Sequence, residues 1–146
     1  MADLTLTITE AVTLNGTSHG ATNTQTITGV DDVLHRIVEV PTSGYIDLVN
    51  FAAAASGVAI ADSTAKHIRI TNLDASNFVT LRVRETAVQE YFVKIEAKDS
   101  FILGNSVSDA NASGAGAAGH SSLTNLDEIE AIANTAGCNV EIFIAS

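Results

Sequence analysis

The chain has 146 residues, 46% of them hydrophobic but only 5% aromatic, and its formal net charge is −10. This length predicts one domain with an aliphatic core, and the negative charge makes nucleic acid and anionic membrane surfaces poor partners. The first residues lack the basic and then apolar pattern of a signal peptide, so we expect a soluble protein made in a cytoplasm.

The first residues alternate between apolar and threonine side chains. Leu4, Leu6 and Ile8 are separated by threonines, and this period of two is typical of a strand with one buried face. We therefore predict an N-terminal strand or arm over residues 1–14. The Asn-Gly pair at 15–16 then predicts a tight turn.

Two further strand patterns precede an alanine-rich stretch. Residues 33–40 form the first, and Pro41 ends it because proline cannot donate to a β-ladder. Residues 45–51 carry apolar side chains on both sides, which predicts a strand buried on both faces. Residues 52–65 are rich in alanine, serine and glycine, which is typical of a loop.

Three alternating runs follow in close succession, at 67–71, 79–84 and 91–96. Each places apolar side chains on one face and polar ones on the other, as a half-buried strand does. Residues 72–77, with their short polar side chains, favour a turn between the first two runs. We interpret the runs as a β-meander with basic residues along one sheet face and acidic residues opposite them. The basic residues are Arg69, Arg82, Arg84 and Lys94, and the acidic ones are Glu85, Glu90 and Glu96.

The last third contains a short strand, a long loop and an ambiguous segment. Residues 101–103 fit a strand, and the low-complexity segment 104–122 predicts a flexible loop. Residues 126–133 fit either a short helix after Asn125 or a strand, and we favour the strand, turned into a hairpin with 140–144. Eight to ten short strands predict a single all-β domain over 1–146, a β-sandwich of the jelly-roll kind.

Two motifs in the long loop resemble ligand-binding sequences. Residues 114–119 match G-x-G-x-x-G, but no strand precedes them and no βαβ unit follows, so we interpret them as loop glycines. Asp109, Asn111 and Ser113 match the opening of a calcium loop, in which His120 replaces the closing glutamate. An ion held by this loop stays an open alternative, and we otherwise predict no cofactor.

Other chemically capable residues form no catalytic pattern. The four histidines lack metal-ligand spacing, and there is no G-x-S-x-G nucleophile motif. We interpret the acidic residues at 31–32 and at 127–130 as solvated. Cys138 is the single cysteine and lies in an apolar run, so we expect a buried, unreactive thiol. The sequence therefore predicts no enzyme and no catalytic residue.

Several segments resemble the small virion structural proteins of tailed bacteriophages, especially those of cyanobacteria and marine bacteria. They are IRITNLDASNFVTLRV, YFVKIEAKDSFIL, IEAIANTAGCNVEIFIA, LTITEAVTLNG and VLHRIVEVPT. The resemblance spans most of the chain and lies in strand rhythm and turn sequences. Proteins of this kind frequently have a glycine after the alanine of one turn, where this chain has Lys98.

The resemblance implies a capsid decoration (cement) protein that assembles on the particle as a symmetric homo-oligomer, in the expected case a trimer. The expected location is the virion, and the expected partners are the major capsid protein, other virion proteins and copies of the chain itself. Such a domain could clamp neighbouring coat subunits through many weak contacts. The candidate assembly contacts are Leu4, Leu6 and Ile8 in the N-terminal strand and Asp109, Asn111 and His120 in the loop.

An alternative hypothesis is a β-sandwich of the phage tail or fibre that binds carbohydrate for host attachment. Exposed aromatic side chains usually stack on the sugar ring in such sites. The chain has two tyrosines and five phenylalanines, mostly on segments predicted to be buried.

Overall fold

The computed structural model describes residues 1–51, 60, 64–85, 89–103 and 126–146. Strands make up 67% of the described residues and none of these residues is in an α-helix, which confirms the all-β prediction. The chain divides into two compact units, residues 1–31 and residues 32–146.

Twelve strands are present in the described part of the chain. In the first unit they are β1 (Ala2–Glu10), β2 (Thr13–Leu14), β3 (Thr17–Ser18) and β4 (Ala21–Val30). In the second unit they are β5 (Val33–Val40), β6 (Ile46–Asn50), β7 (His67–Asn72), β8 (Val79–Glu85), β9 (Gln89–Ile95), β10 (Ser100–Leu103), β11 (Glu128–Ala133) and β12 (Cys138–Ala145).

The first unit is a two-stranded antiparallel ribbon. β1 pairs with β4, and the short strands β2 and β3 continue the ribbon toward its tip. At the tip Asn15 and Gly16 have φ of 52° and 78°. Two successive positive φ values define the turn that matches the natural twist of a hairpin, and Asn-Gly is its preferred sequence. The predicted N-terminal strand is thus confirmed, and it is one half of a longer ribbon.

The second unit is a sandwich of two four-stranded sheets. Their strand orders are β10-β7-β12-β5 and β6-β11-β8-β9. Except for the β8–β9 hairpin, every step along the chain from β5 to β12 moves from one sheet to the other. Eight strands with this interleaved order form a jelly roll, a fold made of two Greek keys.

The core of the sandwich is aliphatic and lies between the two sheets. Alternate residues of each strand point inward. The largest fully buried side chains are Leu48, Ile68, Ile70, Leu81, Ile95, Ile129, Ile142 and Ile144, together with Val40, Val79, Val83 and Val140. Cys138 is completely buried among them, as the sequence predicted.

Two predicted strand pairings are wrong. β7 lies in one sheet while β8 and β9 lie in the other, so the three runs do not form a meander. β11 and β12 also belong to opposite sheets, so the strand prediction for 128–133 is confirmed but the hairpin is not. The period-two pattern identifies a strand and its buried face, whereas pairing depends on residues far away in sequence.

The burial of β6 also differs from the prediction. Leu48 and Val49 are both buried, but Asp47 is exposed, so the strand has an outer face. A register shift in its pairing with β11 lies at this point, between Ile129 and Glu130. A bulge turns two successive side chains toward the core, and this explains the apolar run.

Asn72 anchors the connection between the two sheets. Its buried side-chain amide donates to the carbonyl oxygens of Asn77, Ile95 and Glu96 at 2.7, 3.3 and 3.1 Å. Its Oδ1 accepts a 3.0 Å hydrogen bond from the backbone N–H of Asp74. One buried side chain therefore satisfies three carbonyl groups in two different connections.

Lys98 occupies the turn where the resemblance implies glycine. Its φ is 66°, in the left-handed region that disfavours a residue with a Cβ. Its Nζ donates to the carbonyl oxygen of Leu73. The turn thus keeps a glycine-like conformation without glycine, and the lysine side chain adds one local hydrogen bond.

Candidate assembly surfaces

The ribbon of residues 1–31 has two chemically different faces. On one face three threonine pairs stand opposite each other along β1 and β4, and their hydroxyls approach to 3.4 Å in two of the pairs. The other face carries Leu4 opposite Ile27, followed by Leu6 and Ile8. One face is therefore a polar ladder and the other is apolar toward the base of the ribbon.

The apolar surface of the ribbon is buried at Ile27 and Val30 and becomes exposed toward the tip. Ile8 is 45% exposed, and nearer the tip Val12 and Leu14 are 53% and 61% exposed, while Leu4 and Leu6 are half-buried. An isolated two-stranded hairpin is marginally stable in water because it has no third layer to cover it. The ribbon would gain stability by placing its apolar face on another surface.

The predicted site residues have different outcomes. Leu4, Leu6 and Ile8 share one face of the ribbon, as the alternation predicted. Asp109, Asn111 and His120 lie outside the described residues, as do the whole 104–122 loop and its two motifs.

A compact ion-pair network lies on the outer face of the β6-β11-β8-β9 sheet. Arg82 binds Glu130 through two hydrogen bonds of 2.7 Å, from Nε and from a terminal nitrogen. Arg84 lies 3.1 Å from the same carboxylate and 2.7 Å from Glu128. The Arg82 guanidinium also lies over the Tyr45 ring, 4.2 Å from its centroid. We name the four charged residues the Arg–Glu cluster.

The two glutamates of the Arg–Glu cluster have opposite electrostatic environments. The hydrogen bonds from Arg82 lower the pKa of Glu130, whose side chain is only 8% exposed. Burial raises the pKa of Glu128, although Arg84 opposes the shift. Glu130 is thus held as an anion between two arginines, whereas the ionised form of Glu128 is disfavoured.

The Arg–Glu cluster corrects two predictions from the sequence. Glu130 is buried under its arginine partners, so the acidic segment 127–130 is not simply a solvated face. Arg69 lies in the other sheet, so the basic residues do not share one face. Of the expected acidic partners, Glu90 is 3.9 Å from Arg82, and Glu96 pairs with Lys94.

The outer face of the β10-β7-β12-β5 sheet carries a second charged group. Glu141 accepts hydrogen bonds of 2.7 Å from Arg69 and from Nε2 of His35, and these bonds lower the pKa of Glu141. The ring of Phe143 makes edge contacts with His35 and with His67. Burial lowers the pKa of His67.

Among the described residues no group of three or more His, Cys, Asp or Glu side chains is arranged to hold a metal ion.

Exposed apolar side chains mark the edges of the sandwich. Val33 and Ile37 on β5 are 49% and 60% exposed, Ile102 on β10 is 39% exposed, and Phe92 on β9 is 55% exposed. Each of these strands lies at the edge of its sheet within the described part of the chain. The sequence identified these segments as strands but gave no signal that they were edges.

A small cavity lies inside the sandwich next to Arg36. Its lining is mostly aliphatic and its accessible volume of about 20 Å³ is enough for one water molecule. The Arg36 side chain crosses the sandwich and donates to the carbonyl oxygen of Leu48, while its buried Nε has no protein partner.

The thiol of Cys138 is not a surface group. It is completely buried, and burial raises its pKa above the ordinary value.

No helix among the described residues has the length and apolarity needed to cross a membrane. Comparison of this chain with protein-family models, with curated proteins and with solved structures found no match.

Proposed function

We propose that this chain is a structural protein of a tailed-phage virion, of the capsid decoration type, and that the ribbon is its main docking element. It binds coat subunits and copies of itself, as a trimer in the arrangement that the sequence resemblance implies. The observation that supports the proposal most directly is the partly exposed apolar face of the ribbon, on which the half-buried Leu4 and Leu6 lie with Ile8, which is 45% exposed.

The dimensions of the ribbon suit a contact between subunits. Residues 2–14 form one side of it, and at about 3.3 Å per residue they span roughly 40 Å. A ribbon of this length is longer than the roughly 30 Å diameter of a small domain. It can therefore bridge neighbouring coat subunits.

The two faces of the ribbon contribute differently to docking. The threonine ladder favours the strand conformation through its branched side chains and stays compatible with water. The leucine-bearing face supplies the apolar area whose burial favours binding. On a lattice, many such contacts act together and stabilise the closed shell, because binding to one state favours that state.

The experiment compares two double variants for binding to coat-protein shells assembled without this protein. Leu6→Thr with Ile8→Thr makes the apolar face polar and keeps residues that favour strands. Thr7→Ser with Thr9→Ser is the matched control on the opposite face. We expect the first variant to bind at least about 10-fold more weakly in co-sedimentation and the control to bind like the native chain. Equal binding by both variants, or no binding by the native chain, would contradict the proposal.

A second candidate function is carbohydrate binding at the phage tail or fibre, supported by the exposed ring of Phe92. Phe92 is directly opposite Arg82 in the β8–β9 pairing, so an aromatic face and a polar group are neighbours. A glycan array probed with the native chain and with Phe92→Ala tests this function. A hit that Phe92→Ala abolishes would support it, and an array without hits would exclude it.

A further inference from the structure

Strand β5 is an edge strand of its sheet in the described part of the chain. It pairs with β12 on one side and with no other strand of the described sandwich. Its eight residues span about 26 Å, and on its free side no strand of the described residues pairs with the backbone N–H and C=O groups. The outward-facing side chains are Val33, His35, Ile37 and Glu39, all of them exposed.

Proteins commonly block such edges with an inward-pointing charge. Arg36 is the charged residue on the inner face of β5, but its guanidinium is drawn across the sandwich to the carbonyl oxygen of Leu48. It therefore does not project into the path of an added strand. At the centre of the free edge is the apolar Ile37. The basic His35 lies two residues before it and the acidic Glu39 two residues after it.

We propose that β5 pairs antiparallel with β5 of a second copy of this chain, about a twofold axis that lies midway between the Ile37 residues of the two copies. Ile37 then lies opposite the partner's Ile37, and His35 lies opposite the partner's Glu39. The two sheets join into one continuous eight-stranded sheet. This inference goes beyond the proposed function, because it concerns a different surface and holds whether or not the ribbon binds a shell.

Charge and face complementarity select this register. Outward side chains must stand opposite outward ones, so the axis lies between two copies of one residue. An axis at Arg36 places His35 opposite the partner's Ile37, and an axis at His35 places two imidazoles opposite each other. An axis at Val38 places Ile37 opposite a carboxylate. Only the axis at Ile37, among these central positions, joins apolar with apolar and basic with acidic.

The inner faces are compatible with the same register. Arg36 lies opposite the partner's Val38, and Leu34 lies opposite the partner's Val40, so apolar stems and side chains extend the core layer at the junction. His35 already donates from Nε2 to Glu141, and its second ring nitrogen is available in the imidazolium form to the partner's Glu39. The contact is isologous, so it joins copies in pairs and is separate from the threefold contact of the proposed trimer.

Cysteine cross-linking of the full chain measures the register. In Ile37→Cys the two thiols face each other across the axis, within the reach of a disulfide. In Glu39→Cys the two equivalent thiols are about 13 Å apart, because each faces position 35 of the other copy. We expect mild oxidation to give a disulfide dimer from Ile37→Cys and none from Glu39→Cys. The double variant His35→Cys with Glu39→Cys should give a 35–39 link by mass spectrometry.

A charge substitution tests the energetics with a matched control. Ile37→Lys places two ammonium groups on the axis and should weaken dimerisation at least about 10-fold in analytical ultracentrifugation. Ile102→Lys makes the same change at the opposite edge of the same sheet and should leave dimerisation unchanged. A native chain that stays monomeric at high concentration would overturn the proposal. Equal effects of the two lysine variants, or a cross-link pattern of another register, would overturn it as well. Shell binding by Leu6→Thr with Ile8→Thr is scored separately, so the two proposals can fail independently.

Discussion

We predict that the two glutamates of the Arg–Glu cluster contribute very differently to the stability of the folded chain. Glu130→Gln keeps the shape of the side chain but removes the charge that accepts three hydrogen bonds from Arg82 and Arg84. Removing one partner of a buried ion pair typically costs about 3–5 kcal/mol, because the remaining charge is left uncompensated. Both arginines are roughly one quarter exposed and keep weaker partners, so we expect a loss of about 3 kcal/mol.

Glu128→Gln is the matched control in the same strand and the same cluster. Burial raises the pKa of Glu128, so its negative charge is less favourable in the folded state than in the unfolded chain. Replacement by a neutral amide therefore removes a desolvation cost and the repulsion from Glu130, while the contact of Arg84 with Glu130 persists. We expect the stability to change by less than about 0.5 kcal/mol, or to rise.

Urea unfolding at neutral pH measures both free energies. The pH dependence gives a second readout, because the pKa of Glu130 is lowered in the folded state. Its contribution is fully present above the unfolded value of 4.5 and is lost as the pH falls through the lower folded value. The stability difference between the native chain and Glu130→Gln should therefore shrink below about pH 4.5. A Glu130→Gln variant within 1 kcal/mol of the native chain, or equal losses from both variants, would refute this reasoning.

Three other predictions concern single residues of the sandwich. Lys98→Gly should stabilise the chain by about 0.5–1 kcal/mol in thermal unfolding, because it relieves the left-handed φ of 66°, whereas Lys98→Ala should not. A loss of stability in the glycine variant would contradict the strain argument. Asn72→Asp removes the donor that serves three carbonyl groups and should cost at least about 3 kcal/mol in urea unfolding, and a loss below 1 kcal/mol would show that the amide is dispensable. The Cys138 thiol should react with Ellman's reagent only at the rate of global unfolding, and rapid labelling of the native chain would contradict its burial.

The sequence predicted most strands because their signal is local. In β8, Val79, Leu81 and Val83 alternate with polar residues, and these three are the side chains that the core buries. The same alternation predicted Leu4, Leu6 and Ile8 on one face of the ribbon. A period of two needs only neighbouring residues, so it can be recognised without knowledge of the fold.

Pairing could not be predicted in the same way. β12 lies between β5 and β7, which are far earlier in the chain, and only the complete jelly roll decides that order. A hairpin of β11 with β12 agreed equally well with the local pattern. The interleaved topology instead sends each of these strands to a different sheet.

The contacts of the Arg–Glu cluster also depend on strand pairing and could not be predicted from local sequence. The two arginines of β8, Arg82 and Arg84, are two residues apart, and so are Glu128 and Glu130 of β11. This equal spacing was the sequence signal that the two charged pairs could face each other across neighbouring strands. Nothing in the sequence places β8 beside β11, since 46 residues separate Arg84 from Glu130. The open edge at Ile37 was missed for a related reason, because an edge strand and a central strand can carry the same pattern.

Amide hydrogen exchange of the ribbon tests the central claim, that the apolar face of residues 1–31 is a docking surface. The rates for β1 and β4 are measured in the dilute chain and in the chain bound to coat shells, with the strands of the sandwich core as the internal reference. The ribbon amides should exchange rapidly in the dilute chain and become protected on binding, because a two-stranded ribbon is marginally stable without a covering layer. Equal, strong protection of β1 and β4 in both states would contradict the claim.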